Sequence, residues 1–479
     1  MMQIEPLEHL DATVRVPGSK SYTQRAMVIA ALAEGVSVLR DPLLSDDTLR
    51  LAEALRLLGA AVHTEEAAMV IRGTGGRLAT PGRAIDLGGN GTGMRLLTGM
   101  AALGPGPVVL TGKKRLCERP MKPLLDALTD QGVTVGTEHG TGFPPVAIRG
   151  GRLAGGTIVL RDVESSQFVS ALLIAAPYAA ADTAIVLEGR VPSLPYIALT
   201  AETMEAFGAA VACDGSGRYL IRSGLHYRGR EWRVEGDCSS ASYFFLAAAL
   251  LKGRVRVENI EPQSRQGDAG FLGILERLGC TVVRGERHVE VRGGELPGGE
   301  MAFDLGSMPD VVPTLAVLCA MRPGKSLIQN IGHLRLKECD RLAALIAELE
   351  KTGIAAEVTG EDLAIAGGKS HGARIATYDD HRIAMSFAIL GLAVPGIGIE
   401  DPACVGKSFP GFWTALEGLR EAALPSALPE QGTRREDKSF AQFGKQIPEA
   451  RIGDLSGRKI SSARRDRDFK NEQGRKVTS

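Results

Sequence analysis

A phrase that returns about every seventy residues constrains this 479-residue chain more than any other feature. It consists of an amphipathic helix, a Gly turn, a strand, a second turn and another strand. It reads AEALRLLGAAV at Gly59, LLDALTDQGVTV at Gly132, TMEAFGAAV at Gly208, ILERLGCTV at Gly279 and LIAELEKTGIAA at Gly353. The intervals are 73, 76, 71 and 74 residues, and a weaker sixth copy, FWTALEGLREA, follows 65 residues later at Gly418. Evenly spaced self-similarity of this kind predicts an array of equivalent supersecondary units.

A second phrase keeps the same interval. Small or polar residues open a helix that is apolar nearly all round, starting at Ser19, Gly91, Ser165, Ser239, Ser307 and Asp380. A helix apolar on every face is expected to be buried, whereas the Gly59-type helices keep a polar face for water. Six units therefore each hold one inner helix, one outer helix and strands. Each inner-helix start offers unsatisfied N–H donors and roughly half a positive charge, and six aligned starts predict a shared anion site. Taken singly, Ser19, Ser165, Ser239 and Ser307 read as ordinary N-caps.

Composition narrows the class. The formal net charge is zero with 23% charged residues, which argues against a general nucleic-acid or anionic-membrane binder. Cys117, Cys213, Cys238, Cys280, Cys319, Cys339 and Cys404 are scattered, with no CxxC or Cys/His cluster, so free thiols in a reducing cytoplasm and no metal site are expected. The N-terminus carries acidic residues early and no apolar core of a signal peptide. Uncharged runs such as Ser386–Ile399 fall short of the ~20 residues that span a bilayer, so no membrane association is expected. From Leu424 onward the chain turns polar, mildly basic and aperiodic, and residues 424–479 read as a disordered tail.

Cations concentrate in PGSKSYTQR, CERPMKP, HLRLKECDR, DDHRIAM and VGKSFP. PGSK lacks the spacing of a P-loop, and Gly89, Gly91 and Gly93 do not complete a dinucleotide fingerprint because Met94 stands where the sequence requires otherwise. In order along the chain come PGSKSxxxR from Pro17, SDDT from Ser45, GTxMR from Gly91, ERPM from Glu118 and SSQF from Ser165. EGDxSSASYF from Glu235, QGD from Gln266, PD at Asp310, KExDR from Lys337, DDHRxAM from Asp379 and KSFPxFW from Lys407 follow. This ordered set, spanning residues 1–423, resembles the 5-enolpyruvylshikimate 3-phosphate synthases of the enolpyruvyl transferase family.

The resemblance implies an α/β fold of two similar domains, each of three βαβαββ repeats around buried helices (an inside-out α/β barrel), with the active site in the cleft between them. Domain one is expected at residues 20–235, and domain two at 1–19 with 236–423, with chain crossings near Val16–Lys20 and Val234–Asp237. By matching position, Lys20, Ser21, Arg25, Ser165, Ser166, Gln167, Ser193, Asp310 and Lys337 are expected to hold shikimate 3-phosphate. Lys20, Gly91, Arg119, Gln167, Arg341, Arg382 and Lys407 are expected to hold phosphoenolpyruvate. Asp310 is the expected general base and Glu338 the acid, with Lys20 and His381 assisting proton movement; no cofactor is implied, and a cytoplasmic monomer is expected. SDDT reads as structural, with Ser45 capping a helix and Asp46 and Asp47 in its first turn.

Two departures stand out. Gly89 occupies the family's Asn position and Asn90 is displaced by one, so the loop beside the phosphoenolpyruvate site is expected to differ in shape. His333 stands where many members carry Asn. The resemblance also implies inhibition by glyphosate at that site, beside Gly91. Two rivals share the architecture: the sister transferase acting on UDP-N-acetylglucosamine, marked by a reactive Cys loop that Cys117 does not reproduce, and a non-catalytic anion-binding relative. Like charges from both halves are expected to hold an empty cleft open.

Overall fold

The computed structural model describes residues 1–423, so the expected tail at 424–479 lies outside the described residues. Six inner helices organise the fold: α1 (Lys20–Leu32), α2 (Gly91–Ala101), α3 (Ser166–Ala175), α4 (Cys238–Leu250), α5 (Val312–Met321) and α6 (His381–Ala393). Their lack of a polar face has the expected consequence. Every residue from Cys238 to Ala249 is buried, as is every residue from His381 to Leu392. Helices α1, α2 and α3 pack in one core and α4, α5 and α6 in another. The approach is close where side chains vanish: a Cβ on Gly99 of α2 would lie 2.5 Å from the Ala171 carbonyl oxygen of α3.

Around the helices stand six sheets among the described residues, five of four strands and one of three. The second unit shows the plan. Strand Ile85–Asp86 leads through α2 to the parallel strand Val108–Thr111, and the outer helix Lys122–Asp130 leads to the antiparallel pair Val133–Thr137 and Val146–Gly151. Strands alternate between core and solvent; in Gly156–Arg161, Ile158 and Leu160 are buried while Val159 and Arg161 are exposed. The recurring Gly has a backbone reason. Gly59, Gly132, Gly208, Gly279 and Gly353 each follow an outer helix with φ between 84° and 102°, a left-handed stop that a Cβ would strain.

The first and fourth units exchange their leading strands. Asp11–Val14 precedes α1 in the chain but pairs in parallel with Arg254–Val257, after α4. Glu231–Arg233 precedes α4 but pairs in parallel with Val36–Arg40, after α1. Two chain crossings lie side by side as a result, bridged at Gly18 and Gly236. Among the described residues the weak sixth copy shows no outer hairpin, and Met2–Gln3 joins its sheet by pairing antiparallel with Gly398–Ile399.

Candidate active site

The starts of α1, α2 and α3 and the turn that leads into α5 meet at one cavity. It is lined by Lys20 and Ser21 at the start of α1, Gly91 and Thr92 of α2, and Ser165, Ser166 and Gln167 at the start of α3. Pro309 and Asp310, on the 3-10 turn before α5, face them with Lys337 and Glu338 from the segment before helix Arg341–Lys351. Arg25, Asp47, Arg119, Ser193 and Tyr196 complete the wall.

Local capping explains the directions of these side chains. Ser19, Asn90, Ser165, Asp237 and Asp380 each accept a backbone N–H in the first turn of their helix. Ser239 and Ser307 are not caps, contrary to expectation. Asp237, two residues earlier, takes the cap of α4 and also accepts the Lys20 backbone N–H at 3.0 Å, tying the two crossings together. A 3-10 turn, Pro309–Val311, replaces a cap before α5.

Behind the cavity Arg341, 1% exposed, spans three carboxylates. It donates to Asp380 at 2.7 Å, Glu338 at 2.8 Å and Asp310 at 3.0 Å. Arg382 donates to the other oxygen of Asp310 at 2.6 Å. From the opposite half, Arg119 lies 3.8 Å from Glu338. Lys407 donates to the Gly89 carbonyl at 2.7 Å and lies 3.7 Å from Glu338 and 3.8 Å from Asp47. Lys20 is 3.7 Å from Asp47. Arg25, 1% exposed, donates to Thr200, Ser170 and the Ser21 carbonyl, with its guanidinium over the Tyr196 ring.

These pairings fix the protonation states. Burial would raise the Asp310 pKa, but Arg382 and Arg341, with Lys337 and Lys20 beyond them, outweigh it and hold the carboxyl well below its usual range. Glu338 behaves alike: burial opposes Arg341, Arg119, Lys407 and His381, and the cations win. Lys337 is pushed down to about 8, by burial first and then by Arg341 and Arg119 against the pull of Asp310 and Glu338. His381 is forced neutral by burial and by Lys20 and Arg382. His333, whose two ring nitrogens are buried without partners, falls to about 3 through burial, Lys337 and Arg190.

Of the residues assigned in advance, Lys20, Ser21, Arg25, Gly91, Arg119, Ser165, Ser166, Gln167, Ser193, Asp310, Lys337 and Glu338 line the cavity. Arg341, Arg382 and Lys407 join it through ion pairs, and His381 lies fully buried at the start of α6. The reading of SDDT as mainly structural holds for the helix start, where Asp46 and Asp47 sit in the first turn, but it leaves out a second place for Asp47. Ser45 does precede the helix Asp46–Leu57, its N–H donating to Thr48, but Asp47 turns inward between Lys20 and Lys407. Tyr196 and Thr92 were also missed; only a paired-charge pattern hinted at Asp47, and nothing local marked Tyr196. The displaced Asn90 caps α2 by accepting from Gly93 N–H and donates to the Asp47 carbonyl, both at 2.8 Å, leaving the Gly89 carbonyl to Lys407. The Cys117 thiol donates to the Gly112 carbonyl and does not line the cavity. Among the described residues no His, Cys, Asp and Glu group has the arrangement of a metal site, and no helix is long and apolar enough to cross a membrane.

Residues 4–416 match the family described as EPSP synthase (3-phosphoshikimate 1-carboxyvinyltransferase). A 3-phosphoshikimate 1-carboxyvinyltransferase of Methanoculleus marisnigri is 44% identical over 411 residues, which cover 85% of this chain and 97% of that one. The Nostoc sp. protein of the same name is 40% identical over 407 residues, covering 85% of this chain and 96% of its own. The solved EPSP synthase of Acinetobacter baumannii superposes with a TM-score of 0.73 at 27% identity, covering 87% of this chain and 97% of that one.

Proposed function

The chain belongs to the EPSP synthase, or 3-phosphoshikimate 1-carboxyvinyltransferase, family, and we infer that it transfers the enolpyruvyl group of phosphoenolpyruvate to the 5-hydroxyl of shikimate 3-phosphate, releasing phosphate. The product serves the shikimate pathway to aromatic amino acids. The observation that carries the reading is the convergence of Lys20, Arg25, Arg119, Lys337, Arg341, Arg382 and Lys407 on and behind one cavity. The two substrates bring two phosphates and two carboxylates, about five to six negative charges at neutral pH. Planar Arg forks and helix N-termini suit those groups.

We assign shikimate 3-phosphate to the side of Arg25, Ser165, Ser166, Gln167, Ser193 and Lys337, with Asp310 at its 5-hydroxyl. Phosphoenolpyruvate takes the side of Lys20, Gly91, Arg119, Arg341, Arg382 and Lys407. In the addition step Asp310 accepts the hydroxyl proton as the oxygen bonds to C2, while C3 takes a proton from Glu338. In the elimination step C3 returns a proton, the C2–O bond to phosphate breaks and the enol ether forms. Glu338 is ionised in the geometry described because Arg341, Arg119 and Lys407 surround it. Those cations are the ones assigned to phosphoenolpyruvate, so engaging the substrate's anions raises the proton affinity of Glu338 when a proton is needed. The same redistribution at Arg341 and Arg382 makes Asp310 a better base, and Lys20 and neutral His381 assist the transfer. The cation-lined site is also where glyphosate competes.

We further assign residues 20–235 to one domain and 1–19 with 236–423 to the other, a division supported by the two separate cores and the exchanged strands. A cytoplasmic monomer is the working state. The test is direct: phosphate should appear when the purified protein meets both substrates, and a strong chelator should leave the rate unchanged. Release from phosphoenolpyruvate alone, or none with both, would overturn the reading.

A further inference from the structure

Arg115 precedes the short 3-10 turn Leu116–Glu118 and is not among the residues lining the cavity, yet its guanidinium crosses to the opposite half. Its Nε donates to the Lys337 carbonyl at 3.0 Å and its Nη2 to the Arg335 carbonyl at 2.6 Å. The carbonyl between them, Leu336, accepts from Arg119 Nε at 2.9 Å. Three successive carbonyls of one loop are thus held by two arginines four residues apart on the other half. Arg115 is itself oriented by Glu118, which accepts from its Nη1 at 3.3 Å. The loop so gripped carries the side chains of Lys337 and Glu338 into the cavity.

We propose that Arg115 is a positioning residue that sets Lys337 and Glu338 for catalysis only when the two halves meet. The planar fork spans two carbonyls one residue apart on either side of Leu336, a geometry that an ammonium, as a point charge, does not reproduce. Without it the loop is held across the cleft by Arg119 alone, a residue also committed to substrate. A displacement of about 1 Å in a catalytic group costs on the order of 10²-fold in rate. The proposal rests on the transferase reading and adds to it a link between domain contact and loop geometry.

The test compares wild type, Arg115→Met and Arg115→Lys. In Arg115→Met, kcat should fall about ten- to a hundredfold. The melting temperature of the ligand-free protein should stay unchanged, because Arg115 is half-buried and belongs to neither hydrophobic core. Arg115→Lys should recover part of the loss by reaching one carbonyl. Shikimate 3-phosphate should shrink the radius of gyration of Arg115→Met less than that of wild type. Kinetics within twofold of wild type would overturn the proposal, as would a loss that tracks a lowered melting temperature without recovery by Lys. Should wild type release no phosphate, the transferase reading falls instead. The compaction comparison then still decides whether Arg115 fastens the halves.

Discussion

Glu338 and Arg341, three residues apart, form a pair that on an ordinary helix would be a surface ornament of a few tenths of a kcal/mol. Burial changes its meaning, because both sit in a site where Arg119 approaches from the other half and Lys407 from their own. Glu338→Gln and Asp310→Asn are each expected to lower turnover by ~10²-fold or more, the usual scale for losing an acid or base, with the fold intact. Steady-state kinetics checks this, and near-normal turnover in either variant removes that residue from the mechanism. Lys337 supplies a pH dependence. In the role proposed for it the charged form binds the substrate phosphate, and burial with neighbouring arginines has lowered its pKa to about 8. The charge is therefore present below that value and lost as pH rises through it. The kcat/KM for shikimate 3-phosphate should fall above pH about 8, and Lys337→Arg should carry that limb upward. A limb that stays in place in the Arg variant assigns it to another group.

At the scale of elements, the inner helices act as dipoles whose starts must be both buried and satisfied. Asp380 does this for α6. Fully buried, it accepts the Arg382 backbone N–H at 2.9 Å and the Arg341 side chain at 2.7 Å. The two residues before it, Tyr378 and Asp379, hold φ of 56° and 54°, a left-handed pair that delivers Asp380 to the cap. Asp380→Ala removes cap and counter-ion together and leaves Arg341 undercompensated in the core. Unfolding in urea should show a loss of about 3–5 kcal/mol. A loss below ~1 kcal/mol, the size of a surface cap, would mean that Arg341 finds its compensation in Asp310 and Glu338 alone.

For the whole molecule, the exchanged strands Asp11–Val14 and Glu231–Arg233 make two adjacent crossings the covalent link between the halves. The expectation that like charges alone hold the empty cleft open needs amending. Asp47, Asp310 and Glu338 are interleaved with the cations, so contacts such as Arg119–Glu338 and Lys407–Asp47 offset much of the repulsion. Ligand still adds anions that bridge the halves, so shikimate 3-phosphate should reduce the radius of gyration measured by small-angle scattering, with Lys337→Ala blunting the change. An unchanged radius at saturating ligand would show that the halves meet without it.

The sequence by itself determined the units: helix periodicity, the left-handed Gly after each outer helix and the all-apolar inner helices are local properties, so they survive in one dimension. The motif order likewise made the cations legible, because Lys20, Arg119, Arg341 and Lys407 each sit in a distinctive local phrase. Only the tertiary structure decided which groups meet. Asp47 is the first-turn helix acid it looked like, and folding also placed it between Lys20 and Lys407, residues far from it along the chain. Ser239 gave way to Asp237 as a cap because the carboxylate also serves Lys20 across the crossing. Arg115 carries no signal beyond being one more arginine, since its partners are backbone carbonyls more than two hundred residues away. Charge pairing and protonation depend on distances between distant segments, and those distances exist only once the two halves have packed.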